Sequence, residues 1–234
     1  MPLASGQNES QPYNFPIGPG TEEWAALESY EARLDAYNIP DSILEVMTTA
    51  DLVETCLHYP EFRLIMTHNS LQQGYDYLRS IFNGFVELEQ RPDAGAELIS
   101  VYLENNPRDI NMISGILNKG RFSFDMKFVE VLLSQKVIQR SLSLNDRLDL
   151  TAKAISNYET IKEMPAEYGT FGLVTSTLLL GRIMDVDKYF LFTKLKSDNN
   201  LISTFIEHSQ PADVSQFDAI VSIAREYLKY LKNE

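Results

Sequence analysis

Apolar residues recur at every third or fourth position through most of this 234-residue chain, and that spacing is the strongest constraint on its fold. The last segment shows it most clearly, with Phe217, Ile220 and Val221 on one side of a helix. Asp213 is placed to cap that helix. From Thr21 onward no convincing run of alternating apolar and polar residues appears. The chain is therefore predicted to be all-α.

About ten helices follow from this periodicity. The segment around Phe171 and Leu178 has little polar relief, so its helix is predicted to be central and buried on most faces. Short loops predict antiparallel neighbours, either in an irregular multi-helix bundle or in a stack of antiparallel helix pairs. No fixed internal repeat is present. The predicted helices are about 22–37, a short turn near 41–47, 49–59, 62–66, 71–82, 92–104, 109–118, 124–132, 145–164, 171–181 and 213–231.

Three of these boundaries depend on glycine or proline. Asn83-Gly84 is well suited to a left-handed helix end, so the helix that begins near Leu71 is predicted to stop there. Pro92 is placed as the first residue of the next helix. Gly120 is expected to follow the end of the helix at 109–118.

The first 20 residues differ from the rest because they contain four prolines, three glycines and no hydrophobic period. They are predicted to be a flexible lead-in. Met1 to Gly6, followed by Gln7, resemble the end of a secretory signal peptide near its cleavage site; an ordinary flexible N-terminus is the alternative. Residues 21–234 are predicted to form a single all-helical domain. A candidate sub-boundary lies near 105–109, where Asn-Asn-Pro-Arg interrupts the helical pattern.

The chain carries 33 acidic and 20 basic residues, a net charge of −13, and the acidity is concentrated near the N-terminus. Residues 1–60 contain ten acids and a single base, Arg33, and no lysine precedes Lys119. Since a phosphate backbone needs a cationic surface to replace its counterions, general nucleic-acid binding is excluded. The same net charge disfavours docking on anionic lipid.

Cys56 is the only cysteine, so neither an intrachain disulfide nor a cysteine-based zinc cage is expected. The longest charge-free stretch runs from Tyr168 to Gly181 and contains serine and threonine. It is far shorter than the roughly 20 apolar residues that span a bilayer. No transmembrane segment is predicted.

Three groups of residues together carry a family resemblance. The central one is Ala50-Asp51-Leu52-Val53-Glu54-Thr55-Cys56-Leu57-His58-Tyr59-Pro60. Before it stands Gly18-Pro19-Gly20-Thr21-Glu22-Glu23-Trp24, and after it come Phe82-Asn83-Gly84-Phe85, Glu87-Leu88, Arg91 and Asp93-Ala94. This combination resembles a group of uncharacterised, exported, all-helical proteins common in Bacteroidetes. The resemblance covers residues 13–105, and beyond them it extends only to helical character.

The resemblance implies export to the periplasm or the outer-membrane surface, and it brings no catalytic motif with it. Members usually have a full signal peptide, so the resemblance implies that Met1 is a trimmed or misplaced start. His58 stands where members more often have Asn. Asp41-Ser42-Ile43 is similar to the short Asp-Ser/Thr-apolar pattern used for O-glycosylation of exported proteins in that group, so Ser42 is a candidate acceptor.

Cys56, His58 and His68 are the only cluster of soft ligands in the sequence. Residues two apart on a helix point about 200° away from each other, so Cys56 and His58 are not expected to share a metal. We expect a buried free cysteine and two ordinary histidines at helix ends. A nucleophilic pair of cysteine and histidine is the alternative.

Two acidic pairs, Asp185 with Asp187 and Glu22 with Glu23, are candidates for hydrolysis or for binding a divalent cation. A cation needs several convergent oxygens, and glycoside hydrolysis needs two carboxyls at a defined separation. We expect solvated charges at helix ends instead. The sequence has no phosphate-loop, His-Glu-x-x-His or Gly-x-Ser-x-Gly motif. No catalytic, metal-binding or cofactor-binding residue is therefore predicted, and no cofactor.

Four aromatic residues form the one candidate binding groove that the sequence suggests: Tyr75, Tyr77, Phe82 and Phe85. Such a groove would suit a carbohydrate or an extended peptide. Aromatic residues at helical spacing are more often part of the core, which is the competing interpretation.

Three hypotheses about function follow. The leading one is a non-enzymatic, exported, helical protein of the cell envelope that binds a protein or glycan partner, because no catalytic motif is present. The alternative is a hydrolase with dispersed acidic catalytic residues. The third is a self-associating envelope component, and the oligomeric state does not follow from the sequence.

Overall fold

The computed structural model describes residues 11–210 and 213–233, and within them all regular secondary structure is helical, with no strand. The all-α prediction is confirmed, and the described part of the chain has 16 helices, ten of them with seven or more residues. The first eight α-helices are α1 (Glu22–Ala25), α2 (Tyr30–Asp35), α3 (Asp41–Leu44), α4 (Thr49–Leu57), α5 (Leu71–Ile81), α6 (Asn83–Gln90), α7 (Ala94–Glu104) and α8 (Ile116–Leu133). The remaining ones are α9 (Lys136–Ser141), α10 (Leu144–Lys162), α11 (Pro165–Val186), α12 (Phe190–Asp198), α13 (Asn200–His208) and α14 (Val214–Leu231), and two 3₁₀ helices cover Phe62–Thr67 and Pro107–Met112.

Residues with short polar side chains cap the N-termini of several of these helices. The Thr48 side chain accepts a hydrogen bond from the backbone N–H of Asp51 at the start of α4. At α14, Asp213 and Gln216 form a reciprocal capping box, which confirms the predicted cap. These local bonds fix where the helices start, so their apolar faces point to a common interior.

The centre of the molecule is α11, which is kinked at Gly169 and buried along most of its length after Gly172. It packs against α8, α10 and α14, and also contacts α9, α12 and α13. Its burial on most faces, which the sequence predicts from the lack of polar residues, is confirmed.

The N-terminal half forms a second group of packed helices. There α4 contacts α6 and α7, and α5 lies against the 3₁₀ helix Phe62–Thr67. A Cβ built on Gly74 would come within 2.2 Å of the Ile65 carbonyl oxygen, so this close approach requires glycine. Because α7 also contacts α8 and α10, one connected core runs from Tyr37 to Leu231 and crosses the candidate sub-boundary at 105–109.

Of the predicted lead-in, residues 11–20 are described and residues 1–10 lie outside the described part of the chain. Residues 11–20 contain no helix, but Tyr13 and Phe15 pack against the core. The Phe15 ring lies 5.7 Å from the ring of Tyr37 and 5.9 Å from that of Phe82. The backbone N–H of Tyr13 also donates to the Thr55 hydroxyl at 2.9 Å. This stretch is therefore attached to the domain.

Several predicted boundaries are wrong. The single helix at 22–37 is two short helices, because Ser29 caps a second start by accepting from the N–H of Ala32. Residues 109–118 do not form one helix, since residues 113–115 leave the helical conformation at Gly115, where φ is +84°. From there α8 runs through Gly120 without a break.

Two further corrections concern α6 and α7. Asn83-Gly84 begins α6 and does not end the preceding helix, because Phe82 is the extended residue between α5 and α6. Pro92 lies before the first residue of α7, which begins at Ala94.

Candidate functional site

An open cleft lies between α2 and the junction of α5 with α6. The amide of Asn83 holds its two walls together. The Asn83 Oδ1 atom accepts from the backbone N–H of Ile39 at 2.9 Å, and its Nδ2 donates to the Ile39 carbonyl at 2.7 Å. The backbone N–H of Asn83 donates to Oδ1 of Asn38 at 2.9 Å. The sequence predicts that Asn83 and Gly84 end a helix, but in the structure Asn83 makes these three hydrogen bonds to the segment Asn38-Ile39.

The cleft has a volume of about 860 Å³ and combines an apolar floor with a charged rim. Leu34, Ile39 and Phe82 belong to the buried core and form the floor. The rim carries aromatic and ionisable side chains, namely Tyr30, Glu31, Asp35, Asp41, Tyr77 and Arg79. This combination suits a ligand that is partly apolar and partly charged.

The charge of the cleft is predominantly negative. Within the described residues, Glu31, Asp35 and Asp41 take part in no ion pair and in no hydrogen bond of their side chains. The guanidinium of Arg79 is engaged elsewhere, because its Nε lies 2.6 Å from a carboxylate oxygen of Glu89. Three carboxylates are thus free to interact with a ligand, while the nearby cation is already neutralised.

The ring of Tyr30 stands at the edge of this cleft and is 47% exposed. Partial burial raises the pKa of its hydroxyl, and the nearby carboxylate of Glu61 raises that pKa further.

The structure separates the four aromatic residues of the predicted groove. Tyr75 and Phe85 lie in the core, and the hydroxyl of Tyr75 donates to Glu89 at 2.8 Å. Phe82 is also buried, but it contributes to the floor of the cleft, and Tyr77 lies on its rim. Two of the four residues thus line a cavity, and the other two fit the competing interpretation of core packing.

Cys56, His58 and His68 do not come together in one site. Cys56 is fully buried, and burial raises the pKa of its thiol. His58 caps the end of α4, where its Nδ1 lies 2.9 Å from the Glu54 carbonyl. The ring of His68 packs against that of Tyr77 in a tilted arrangement, with 4.8 Å between ring centroids. Among the described residues the thiol makes no hydrogen bond to an imidazole.

The acidic pair Asp185 and Asp187 is divided between two sets of cations. Asp185 lies 2.9 Å from the ammonium of Lys196 and 3.6 Å from that of Lys136. Asp187 accepts from Arg147 and from the hydroxyl of Tyr227. These carboxylates therefore hold helices together and do not converge.

The second acidic pair, Glu22 and Glu23, lies in the first turn of α1, as expected from the helix dipole. Ser42, the candidate glycosylation acceptor, is exposed in the first turn of α3 beside the cleft residue Asp41. Nothing else about this acceptor is tested by the structure, so its glycosylation stays a prediction.

A buried ion pair within α8, on the side that faces α11, is not predicted from the sequence. The ammonium of Lys127 lies 3.0 Å from a carboxylate oxygen of Glu130, and their side chains are 1% and 0% exposed. Glu130 also accepts from the hydroxyls of Tyr102, Thr175 and Ser176 at 2.8, 2.5 and 2.6 Å. The signal for this pair would have been two opposite charges three residues apart in the otherwise apolar stretch 126–133.

Residues 11–210 and 213–233 contain no group of three or more His, Cys, Asp or Glu side chains placed to hold a metal ion. In the same part of the chain, no helix has both the length and the apolar character needed to cross a membrane. No family model, no curated protein and no solved structure matches the chain. Its function must therefore be inferred from the cleft and the surface alone.

Proposed function

We propose that this chain is a non-enzymatic binding protein of the cell envelope whose cleft takes up a cationic segment of a protein partner. One observation carries the proposal: the carboxylates of Glu31, Asp35 and Asp41 surround an apolar floor and have no partner of their own among the described residues. A segment with lysine or arginine next to an apolar side chain complements both features.

The position of these carboxylates favours binding over hydrolysis. Glu31 and Asp35 are four residues apart on α2, so they lie on one face of that helix. A general acid or base has to be held within hydrogen-bond reach of its proton, usually by another group. No described side chain orients any of the three carboxylates. The hydrolase alternative therefore has less support than the binding hypothesis.

A glycan is the second candidate ligand, because the exposed ring of Tyr30 stands beside Tyr77 at the rim. Aromatic rings stack on the apolar faces of sugars, while the edges of a sugar need hydrogen bonds. Removing the three carboxylate charges should weaken the binding of a cationic segment. It should change the binding of a neutral glycan little, because such a ligand gains little from unpaired carboxylates.

Export to the periplasm or the outer-membrane surface is part of the proposal and rests on the family resemblance and on the sequence of residues 1–7. Those residues lie outside the described part of the chain. The acidic cleft lies on α2, α5 and α6, all within residues 13–105, where the resemblance is carried.

The test is quantitative capture from an envelope extract of the source organism. Immobilised wild type is compared with the triple variant Glu31→Gln, Asp35→Asn, Asp41→Asn. We expect the captured partner to fall at least tenfold with the variant, and to fall similarly in 0.5 M salt, because the attraction is electrostatic and screened. Equal capture by both proteins would refute the cleft as the binding site.

A control variant changes the same number of charges elsewhere. Glu104, Asp149 and Glu167 are exposed and have no ion pair among the described residues, so Glu104→Gln, Asp149→Asn, Glu167→Gln should bind like wild type. Loss of capture with this control would show that net charge is responsible. Retained capture of a glycan by the cleft variant, with loss after Tyr30→Ala, would favour the glycan.

A further inference from the structure

The three most exposed large apolar side chains of the described residues lie within six positions of one another. Met112, Ile116 and Leu117 are 78, 86 and 86% exposed. Met112 ends the second 3₁₀ helix, and Ile116 and Leu117 begin α8. Between them the chain turns at Gly115, whose φ of +84° favours glycine. We call Met112, Ile116 and Leu117 the apolar tip.

The tip extends from a firmly anchored helix. Residues Met126 to Leu133 of α8 are all buried, while the first two turns of the helix are largely exposed. A helix whose C-terminal half is fixed in the core presents its first turns in a defined orientation. The apolar tip is therefore held rigidly at the surface, unlike an exposed residue on a long loop.

Two bases follow the apolar residues one helical turn later. Lys119 is three residues after Ile116, and Arg121 is four residues after Leu117, so each base shares a face with an apolar residue. Lys119 has no ion pair among the described residues, and Arg121 has an exposed one, 3.6 Å from Asp125. The rise along a helix places the bases about 5 Å behind the apolar side chains.

This segment lacks the negative charge of the rest of the chain. Residues 109–125 contain two acids, Asp109 and Asp125 at their two ends, and two bases between them, so the segment is neutral, whereas the chain has a net charge of −13. Since salt screens exposed charges beyond about 8 Å, a nearby surface responds mainly to the local charge. The expectation from net charge, that anionic lipid is disfavoured, does not apply to a contact made by the tip.

We propose that the apolar tip docks on an anionic membrane surface, with Ile116 and Leu117 inserted at the boundary of the acyl chains and Lys119 and Arg121 at the headgroups. Interfacial helices bury their apolar residues about 5–10 Å into this boundary and place bases near anionic headgroups. The 5 Å offset between the two pairs of side chains matches that arrangement.

A second copy of the chain is a poorer fit for this surface. A stable protein interface buries about 800 Å² on each partner and involves about 20–30 residues on a side. The apolar tip has three, and they project from a helix start. A lipid surface needs only a few inserted side chains and adjacent bases.

Vesicle co-sedimentation of the full chain tests the proposal. The vesicles contain phosphatidylethanolamine and phosphatidylglycerol in a 3:1 ratio, and vesicles of phosphatidylcholine alone serve as the neutral reference. We expect wild type to bind the anionic vesicles, and Leu117→Ser to lower the partition coefficient about tenfold or more, because an inserted leucine is lost. Lys119→Glu with Arg121→Glu should abolish the preference for anionic lipid.

Leu201→Ser is the matched control, since Leu201 is 59% exposed in the first turn of α13. It should bind like wild type. The proposal is overturned if wild type stays in the supernatant with anionic vesicles, or if Leu201→Ser reduces binding as much as Leu117→Ser. It is also overturned if sedimentation velocity without lipid shows an oligomer that Leu117→Ser dissociates and vesicle binding is unchanged.

Discussion

Replacing Lys127 with methionine would leave the carboxylate of Glu130 buried without its cation. Both residues belong to α8 and face α11, with a separation of 3.0 Å and almost no exposed side-chain area. Burial lowers the pKa of Lys127, and the neighbouring Glu130 opposes that change. The ammonium also lies 5.7 Å from the ring centroid of Tyr168. Each charge is thus tolerated in the core because the other is present.

The expected loss can be estimated from the burial of the pair. Removing one partner of a buried ion pair costs about 3–5 kcal/mol in the free energy of unfolding. For a chain of this size, each kcal/mol lowers the Tm by about 2–4 °C, so Lys127→Met should lower it by about 6–20 °C. Glu130→Gln leaves the ammonium unpaired and should cost a similar amount.

The double variant Lys127→Met, Glu130→Gln distinguishes charge coupling from loss of packing. Because both charges are gone, it should lose at least about 2 kcal/mol less than the sum of the two single variants. Urea denaturation followed by circular dichroism supplies the three values. Additive losses, or single losses below about 1 kcal/mol, would refute the account of the pair as a coupled buried ion pair.

An exposed pair with the same spacing provides the control. Lys229 and Glu226 are three residues apart on α14, 2.8 Å from each other, and their side chains are 69% and 49% exposed. Lys229→Met should cost less than about 1 kcal/mol, since water solvates both charges. A loss as large as that of Lys127→Met would show that burial is not the cause.

Two further perturbations test the packing and the titration of the core. Gly74→Ala should lower the free energy of unfolding by about 1–3 kcal/mol, because the new Cβ would meet the Ile65 backbone. Gly120→Ala should raise it by about 0.5–1 kcal/mol, since a Cβ there meets nothing within 4 Å. Equal effects of the two variants in urea denaturation would contradict the close approach of Gly74 to Ile65. Burial raises the pKa of ten described tyrosines in the native state, and most strongly that of six, so the unfolded chain loses protons first as the pH rises above 10. The stability that these tyrosines contribute is complete below pH 10 and is lost above it, and a free energy of unfolding that is unchanged between pH 9 and pH 11 would refute this. The six are Tyr59, Tyr75, Tyr102, Tyr158, Tyr168 and Tyr227.

Features that depend on neighbours in sequence are the ones that the sequence predicts well. The capping box of Asp213 and Gln216 needs residues three apart, and the burial of α11 follows from its own composition. The break of the 22–37 segment at Ser29 also depends on neighbouring residues. It is not predicted because the helical spacing of apolar residues continues across Ser29 and favours a single helix.

The cleft could be predicted only in part, because long-range contacts build it. Asn83 looks like a helix end in the sequence, yet its amide bonds to Ile39, 44 positions away. Likewise, the partners of Glu130 at Thr175 and Ser176 come from another helix, 45 and 46 positions away. Tyr77 and Phe82 are identified as groove residues, but the free carboxylates of α2 and of the start of α3 that line the same cleft are not.

The most direct measurement is carboxyl footprinting of the wild-type chain with a carbodiimide and an amine, read out by mass spectrometry, in the presence and absence of envelope extract. The account predicts that labelling of Glu31, Asp35 and Asp41 falls several-fold when extract is present. Labelling of the exposed reference residues Glu104 and Asp149 should stay unchanged. Unchanged labelling of the three cleft carboxylates would contradict the central claim that this cleft binds a partner.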